Sequence, residues 1–179
     1  MAISHLSLDQ IESKLNQLEE SPKDQGAVEY IVFRLPEERR ATPQEAEVTL
    51  EGGLHGDRWS RAKSPNPGAQ ISLMNSRLLR VIAGSEERMP LSGDNLLVDL
   101  DLSEENLPTG TRLQIGTSVF EVTPVPHTGC QKFERRYGVD ALQAVNSEAY
   151  KSHRRRGLYI RVIQPGGIRV GDTICKIKA

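Results

Sequence analysis

The chain has 179 residues and carries 23 basic against 24 acidic side chains, a formal net charge of -1, with 37% hydrophobic residues. A chain of this size buries roughly 70% of its unfolded surface, enough for one core without a disulfide framework. The charge balance argues against a protein held to nucleic acid mainly through phosphates. No apolar run approaches the roughly 18 to 20 residues that cross a bilayer, and Met1–Gln10 lacks the basic and apolar regions of a signal peptide, so the expectation is a cytoplasmic chain that makes no membrane contact.

Ser7 and Gln10 have capping-box spacing, and Leu8, Ile11, Leu15 and Leu18 recur at helical intervals until Pro22 and Gly26 stop the pattern. This predicts a helical extension over residues 1–24, packed on its own domain or on a second subunit. Residues 28–33, rich in β-branched and aromatic side chains, then open a β-rich domain expected over 25–179. The polar stretch from Pro36 to Gln44 reads as a surface loop, with Glu37-Glu38-Arg39-Arg40 as a solvated face. Further strands are predicted at 47–51, 70–74 and 95–100.

Asn75 is placed to cap a helix carrying Leu78, Leu79 and Ile82, which Gly84 ends. Residues 111–115 and 118–123 flank Gly116-Thr117 as a hairpin. Phe133 to Tyr150 reads as helical, in two pieces about Gly138, before strands at 158–163 and 173–177. Seven or eight short strands between glycine and proline turns, with a few helices, favour a closed or nearly closed barrel.

Three segments could carry chemistry. Cys130, in Pro-Val-Pro-His-Thr-Gly-Cys just before a helix and near Lys132 and Arg135, has surroundings that favour a thiolate. The alternative is a small buried hydrophobe. Cys175, between Ile174 and Ile177, reads as core. Gly52-Gly53-Leu54-His55-Gly56-Asp57-Arg58 could hold a polar or anionic ligand, or form a tight turn closed by its own Asp and Arg. His153-Arg154-Arg155-Arg156, ahead of Arg161, could grip phosphate oxygens or line a solvated loop. With aromatics at 4%, a stacking surface for single strands is hard to assemble. His127 and Cys130 lack two further ligands in sequence for a zinc site.

In order and spacing, five blocks resemble the MOSC domain, named for the C-terminal part of molybdenum cofactor sulfurases, in a small standalone bacterial-type form. They are residues 53–58, 70–74, 93–96, 113–123, and Cys130 followed by Arg161-Val162 and residues 166–172. The resemblance implies a mainly β fold on a strongly bent, barrel-like sheet of the pyruvate-kinase β-barrel kind, with peripheral helices. It further implies that Cys130 is a molybdenum ligand in molybdenum cofactor (molybdopterin) binding proteins, or a persulfide-bearing sulfur carrier. Some relatives are oxidoreductases that reduce N-hydroxylated compounds, which here would require a separate electron donor, because the chain has no flavin or iron–sulfur motif. Sulfur transfer would require a sulfur donor protein, and a third possibility is a non-catalytic cofactor-binding module. On this reading His55, Asp57 and Arg58 shape one wall, Asn95 braces a loop, and Lys132, Arg155, Arg156 and Arg161 face the phosphate end. The chain departs from the family pattern at Trp59, Ala69, Asp94 and Gly129, where histidine, arginine, glutamate and proline are common.

Overall fold

The computed structural model describes residues 5–177. Helix α1 (Leu8–Leu15) begins with the capping box read from the sequence. Gln10 N–H donates to Ser7 Oγ at 3.3 Å, and Ser7 N–H donates to Gln10 Oε1 at 2.9 Å. It ends before Leu18, which lies in the following turn, 36% exposed.

Strand β1 (Gln25–Ile31) leads into a small hairpin of β2 (Phe33–Arg34) and β3 (Arg40–Ala41), then β4 (Glu45–Thr49) and β5 (Gly53–Leu54). A crossover runs from β6 (Ile71–Asn75) through α2 (Ser76–Ala83) to β7 (Leu96–Asp99), and is followed by the hairpin β8 (Arg112–Ile115) and β9 (Ser118–Val122). Helices α3 (Gln131–Tyr137) and α4 (Val139–Val145) come next, then β10 (Leu158–Gln164), β11 (Gly166–Arg169) and β12 (Thr173–Ile177).

Seven strands close a barrel in the order β1-β12-β8-β9-β10-β6-β7, with β7 returning to β1. Every neighbouring pair is antiparallel except β6 and β7, which the α2 crossover makes parallel. Outside it lie a three-stranded sheet, β11-β4-β5, and the β2–β3 hairpin. The fold is therefore mainly β, a barrel with peripheral helices.

The period of each strand decides which side chains fill the barrel. Leu113 and Ile115 on β8, and Ser118, Phe120 and Val122 on β9, point inward, while Arg112 and Gln114 face out. Phe120, Leu73, Leu96, Ile160 and Ile174 meet in this interior, each such burial stabilising the fold by roughly 1.5–3 kcal/mol. Strand β6 is buried on both faces because the helices cover its outside. Met74 and Leu97 there meet Ile11, Leu79, Phe133, Tyr137 and Ala144 in a second core.

The segment read as a plain surface loop is more structured. At the tip of the β2–β3 hairpin both Glu37 (φ 58°) and Glu38 (φ 56°) are left-handed, a conformation that costs a non-glycine residue roughly 1–2 kcal/mol. Arg39 N–H closes on Pro36 C=O at 3.2 Å, as in a type I′ turn, where Asn-Gly would be the unstrained choice. Cys175 sits half-buried on β12 rather than in the core, and both cysteines are free thiols.

Candidate functional site

The loop after β9 and the first residues of α3 assemble a polar site on one end of the barrel. Cys130 is the residue that precedes α3, extended in backbone (φ -128°, ψ 175°) and exposed. Its neighbour Gly129 is pinned from both sides by Asn146, whose Oδ1 accepts Gly129 N–H at 2.7 Å and whose Nδ2 donates to Gly129 C=O at 3.2 Å. A Cβ on residue 129 would lie 2.6 Å from Leu142 Cδ1. Glycine here lets the thiol-bearing loop lie directly on α4.

His127, three residues earlier, turns inward and stacks on Tyr159 of β10 with ring centroids 4.3 Å apart. Its Nε2 lies 2.7 Å from Asp94 Oδ1. Asp94 is completely buried and also takes Arg156 Nη1 at 2.7 and 2.9 Å, while Arg156 Nη2 donates to Ser92 C=O. Burial alone would raise the Asp94 carboxyl, but the Arg156 guanidinium and the His127 hydrogen bond outweigh it and hold it well below the usual carboxylate range. Burial and then the Arg156 charge push His127 down against the pull of Asp94, so the ring is neutral at pH 7. With Asp94 ionised, Nε2 carries the proton and donates it to the carboxylate.

Asp57 forms the second polar centre. It is buried and accepts Arg34 N–H at 2.7 Å, Arg34 Nε at 3.1 Å, Arg34 Nη2 at 2.7 Å and Trp59 N–H at 3.0 Å. Burial opposes its ionisation, and the Arg34 contacts reverse that and lower it. Arg34 links Asp57 to the neighbouring cations, since it pairs with Arg40 across β2 and β3 and its carbonyl accepts Arg58 N–H at 3.0 Å.

Around Arg40 the cations crowd. Burial and then the charges of Arg136, Arg58 and Arg34 all press its guanidinium down. Its Nε is buried with no hydrogen-bond partner among the described residues, while Nη1 donates to the carbonyls of Glu38 and Arg39. Gly93 makes room here: its φ is +85°, and a Cβ would lie 3.6 Å from both Arg40 Nη2 and Arg136 Nη1. Among the described residues, neither Arg40 nor Arg58 has a carboxylate partner. Besides Asp57 on Arg34, the cluster meets the carboxylate of Glu38, whose oxygens take Lys132 Nζ at 2.8 Å and Arg136 Nη2 at 3.1 Å, with Arg135 at 3.9 Å. The Lys132 hydrogen bond and charge, then Arg136, lower Glu38 to about 2. The Glu37–Arg40 run is therefore not simply a solvated face: it bridges to α3.

The sequence-predicted residues divide accordingly. Cys130 directly precedes α3, which carries Lys132; Arg156 lies on Asp94 and on His127 of the same loop, and Asp57 and Arg58 connect to Arg34 and Arg40. Asn95 is a brace, with Oδ1 accepting Ser72 N–H at 3.1 Å and Nδ2 donating to Val32 C=O at 3.2 Å. His55 is exposed in a separate cleft with Phe33, Glu47 and Arg169. Arg155 pairs with Glu12 at 2.6 Å and stacks 3.5 Å over the Tyr150 ring. Arg161 pairs with Glu121 across β10 and β9 on the barrel's outer surface.

Arg34, Arg40, Asp94, His127, Arg136 and Tyr159 are the residues that sequence reasoning missed. His127 has a signal in the sequence, lying three residues from Cys130 between proline and glycine. Among the described residues no group of three His, Cys, Asp or Glu side chains could hold a metal ion by itself.

The fold is similar to that of several solved structures. A hypothetical protein superposes with a TM-score of 0.63 at 19% identity, covering 88% of this chain and 69% of its own. The YuaD protein of Bacillus subtilis gives 0.56 at 18%, covering 84% and 94%. YiiM of Escherichia coli gives 0.53 at 19%, covering 84% and 70%. No curated protein sequence matches. The sequence pattern of the MOSC domain matches residues 54–175, and the chain belongs to the MOSC domain family, which is associated with molybdenum cofactor binding. Among the described residues no helix is long and apolar enough to cross a membrane.

Proposed function

We propose that this protein binds the molybdenum cofactor at the barrel end bearing Cys130, in the service of reducing N-hydroxylated compounds. The supporting observation is the pairing of an exposed thiol with a cation cluster short of carboxylates: Cys130 precedes the helix that carries Lys132 and Arg136, and Arg40 Nε beside them has no partner. The donor set fits the group. A soft thiolate suits molybdenum, and forked guanidiniums suit a phosphate. Bound there, the cofactor would supply two-electron chemistry at an N–O bond, with electrons from a separate donor protein.

The chain's own residues do the rest. Cys130 is the metal ligand, and Arg34, Arg40, Arg58, Arg136 and Lys132 take the phosphate end. This moves that role away from Arg155, which is held by Glu12 of α1, and from Arg161, which lies with Glu121 on the barrel's outer surface, both apart from this cluster. Arg156 acts indirectly, holding Asp94 and through it the orientation of the His127 ring beside the thiol-bearing loop. Burial, the Tyr159 stack and the Nε2 contact with Asp94 keep that ring fixed and neutral.

The test is metal and pterin content of protein purified anaerobically from a cofactor-producing host. Near-stoichiometric molybdenum in wild type, falling roughly tenfold or more in Cys130→Ala, is the expected result; wild type free of both metal and pterin overturns the reading. The exposure of Cys130 and the lack of any hydrogen bond to its sulfur among the described residues also favour a second reading, a sulfur carrier. That reading requires a labile persulfide on Cys130 after incubation with a cysteine desulfurase and free cysteine. A cofactor-binding module without catalysis would keep the metal and give no turnover with N-hydroxylated substrates and electron donors.

A further inference from the structure

The hairpin tip that carries Glu37 and Glu38 does something its local sequence does not favour. Two consecutive glutamates adopt left-handed backbone, and such conformations persist only where surrounding contacts enforce them. Two sets of contacts hold the tip: Arg40 Nη1 on the Glu38 and Arg39 carbonyls, and the Glu38 carboxylate on Lys132 and Arg136, far along the chain. Glu38 is nevertheless 48% exposed, so leaving this position costs it little burial. Arg34 and Arg40, at the base of the same hairpin, pair with each other across β2 and β3 and belong to the cation cluster themselves.

We propose that Glu38 is an internal plug: its carboxylate occupies, on Lys132 and Arg136, the place that the anionic end of a ligand takes, and ligand binding exchanges for it and swings the tip of the β2–β3 hairpin outward. The proposal rests on reading the guanidinium cluster as the phosphate end of the site. The charges support the exchange. A carboxylate brings one negative charge to a cluster in which Arg40 and Arg58 have no acid of their own, whereas a phosphate brings nearly two together with more acceptor oxygens. The plug therefore also selects. A singly charged carboxylate ligand gains nothing by replacing Glu38, while a phosphate does.

The probe is inorganic phosphate, titrated at constant ionic strength into wild type and Glu38→Gln. Removing a competitor that is seated about ten times out of eleven raises the apparent affinity about tenfold, so Glu38→Gln should bind phosphate about tenfold tighter. In wild type, saturating phosphate should speed amide hydrogen exchange over Leu35–Arg39, and Glu38→Gln should show that faster exchange without phosphate. Equal or weaker binding by Glu38→Gln, absence of phosphate binding in both proteins, or tip exchange unchanged by bound phosphate each overturns the plug. Molybdenum content of the same preparations separates the two ideas. Metal retained with no gain in phosphate affinity sinks the plug alone, whereas tighter phosphate binding in a protein that never carries metal sinks the cofactor reading alone.

Discussion

Asp94 has no exposed surface, yet it stays ionised because Arg156 and His127 satisfy it from two sides. The histidine bears the consequence. Its folded pKa lies below the ordinary 6.5, so between those values the unfolded chain binds a proton that the folded chain refuses. Stability from this group is present in full above pH 6.5 and is lost as pH falls below it. Asp94, itself lowered, begins to cost stability only below its ordinary 3.8. Melting temperatures measured from pH 7.5 to pH 5 should therefore fall in wild type. In His127→Asn the fall should be shallower, on top of a general loss of about 1–3 kcal/mol from the disturbed network. A pH profile of the variant parallel to that of wild type would contradict this account.

At the level of elements, the parts that could be read from the sequence are those whose cause is local. The Ser7–Gln10 capping box, the Asn75 cap with Oδ1 accepting Leu78 N–H at 2.9 Å, and the Gly84 stop at φ +73° each depend on residues within one or two turns. So does the break at Gly138 between α3 and α4. The β2–β3 hairpin escaped notice because its turn carries Glu-Glu, the wrong residues for left-handed backbone, and is held by α3 instead. The site escaped for a related reason. His127 meets Asp94 across 33 positions, and Glu38 meets Arg136 across 98, distances over which spacing in a single sequence says nothing. The strain itself is testable: Glu37→Asn, which tolerates the left-handed region better and leaves Glu38 in place, should raise stability by about 0.5–1 kcal/mol in denaturant titrations.

Across the whole molecule, two cores share one wall. Strands β6 and β7 send Leu73 and Leu96 into the barrel and Met74 and Leu97 outward under the helices. Helix α1 closes this outer core through Ile11 and is tied down by Glu12 on Arg155, a side chain only 8% exposed. The ion pair thus fastens the N-terminal helix to the segment leading into β10. Arg155→Met, which keeps bulk and removes the charge, should lower global stability by about 2 kcal/mol. It should also make α1 the first region to exchange its amides with solvent, a pattern that hydrogen exchange resolves residue by residue. Uniform acceleration along the chain would deny α1 this separate attachment.

The seam between β1 and β12 joins Gln25, Gly26 and Ala27 to Cys175, Ile174 and Thr173. In a growing polypeptide this edge of β1 has no partner until β12 has left the ribosome. Until then the first strand is a sticky edge of the kind that recruits other chains. Closing that seam pairs strands about 150 positions apart, a long-range contact whose loop-closure cost must be met before the pairing rewards it.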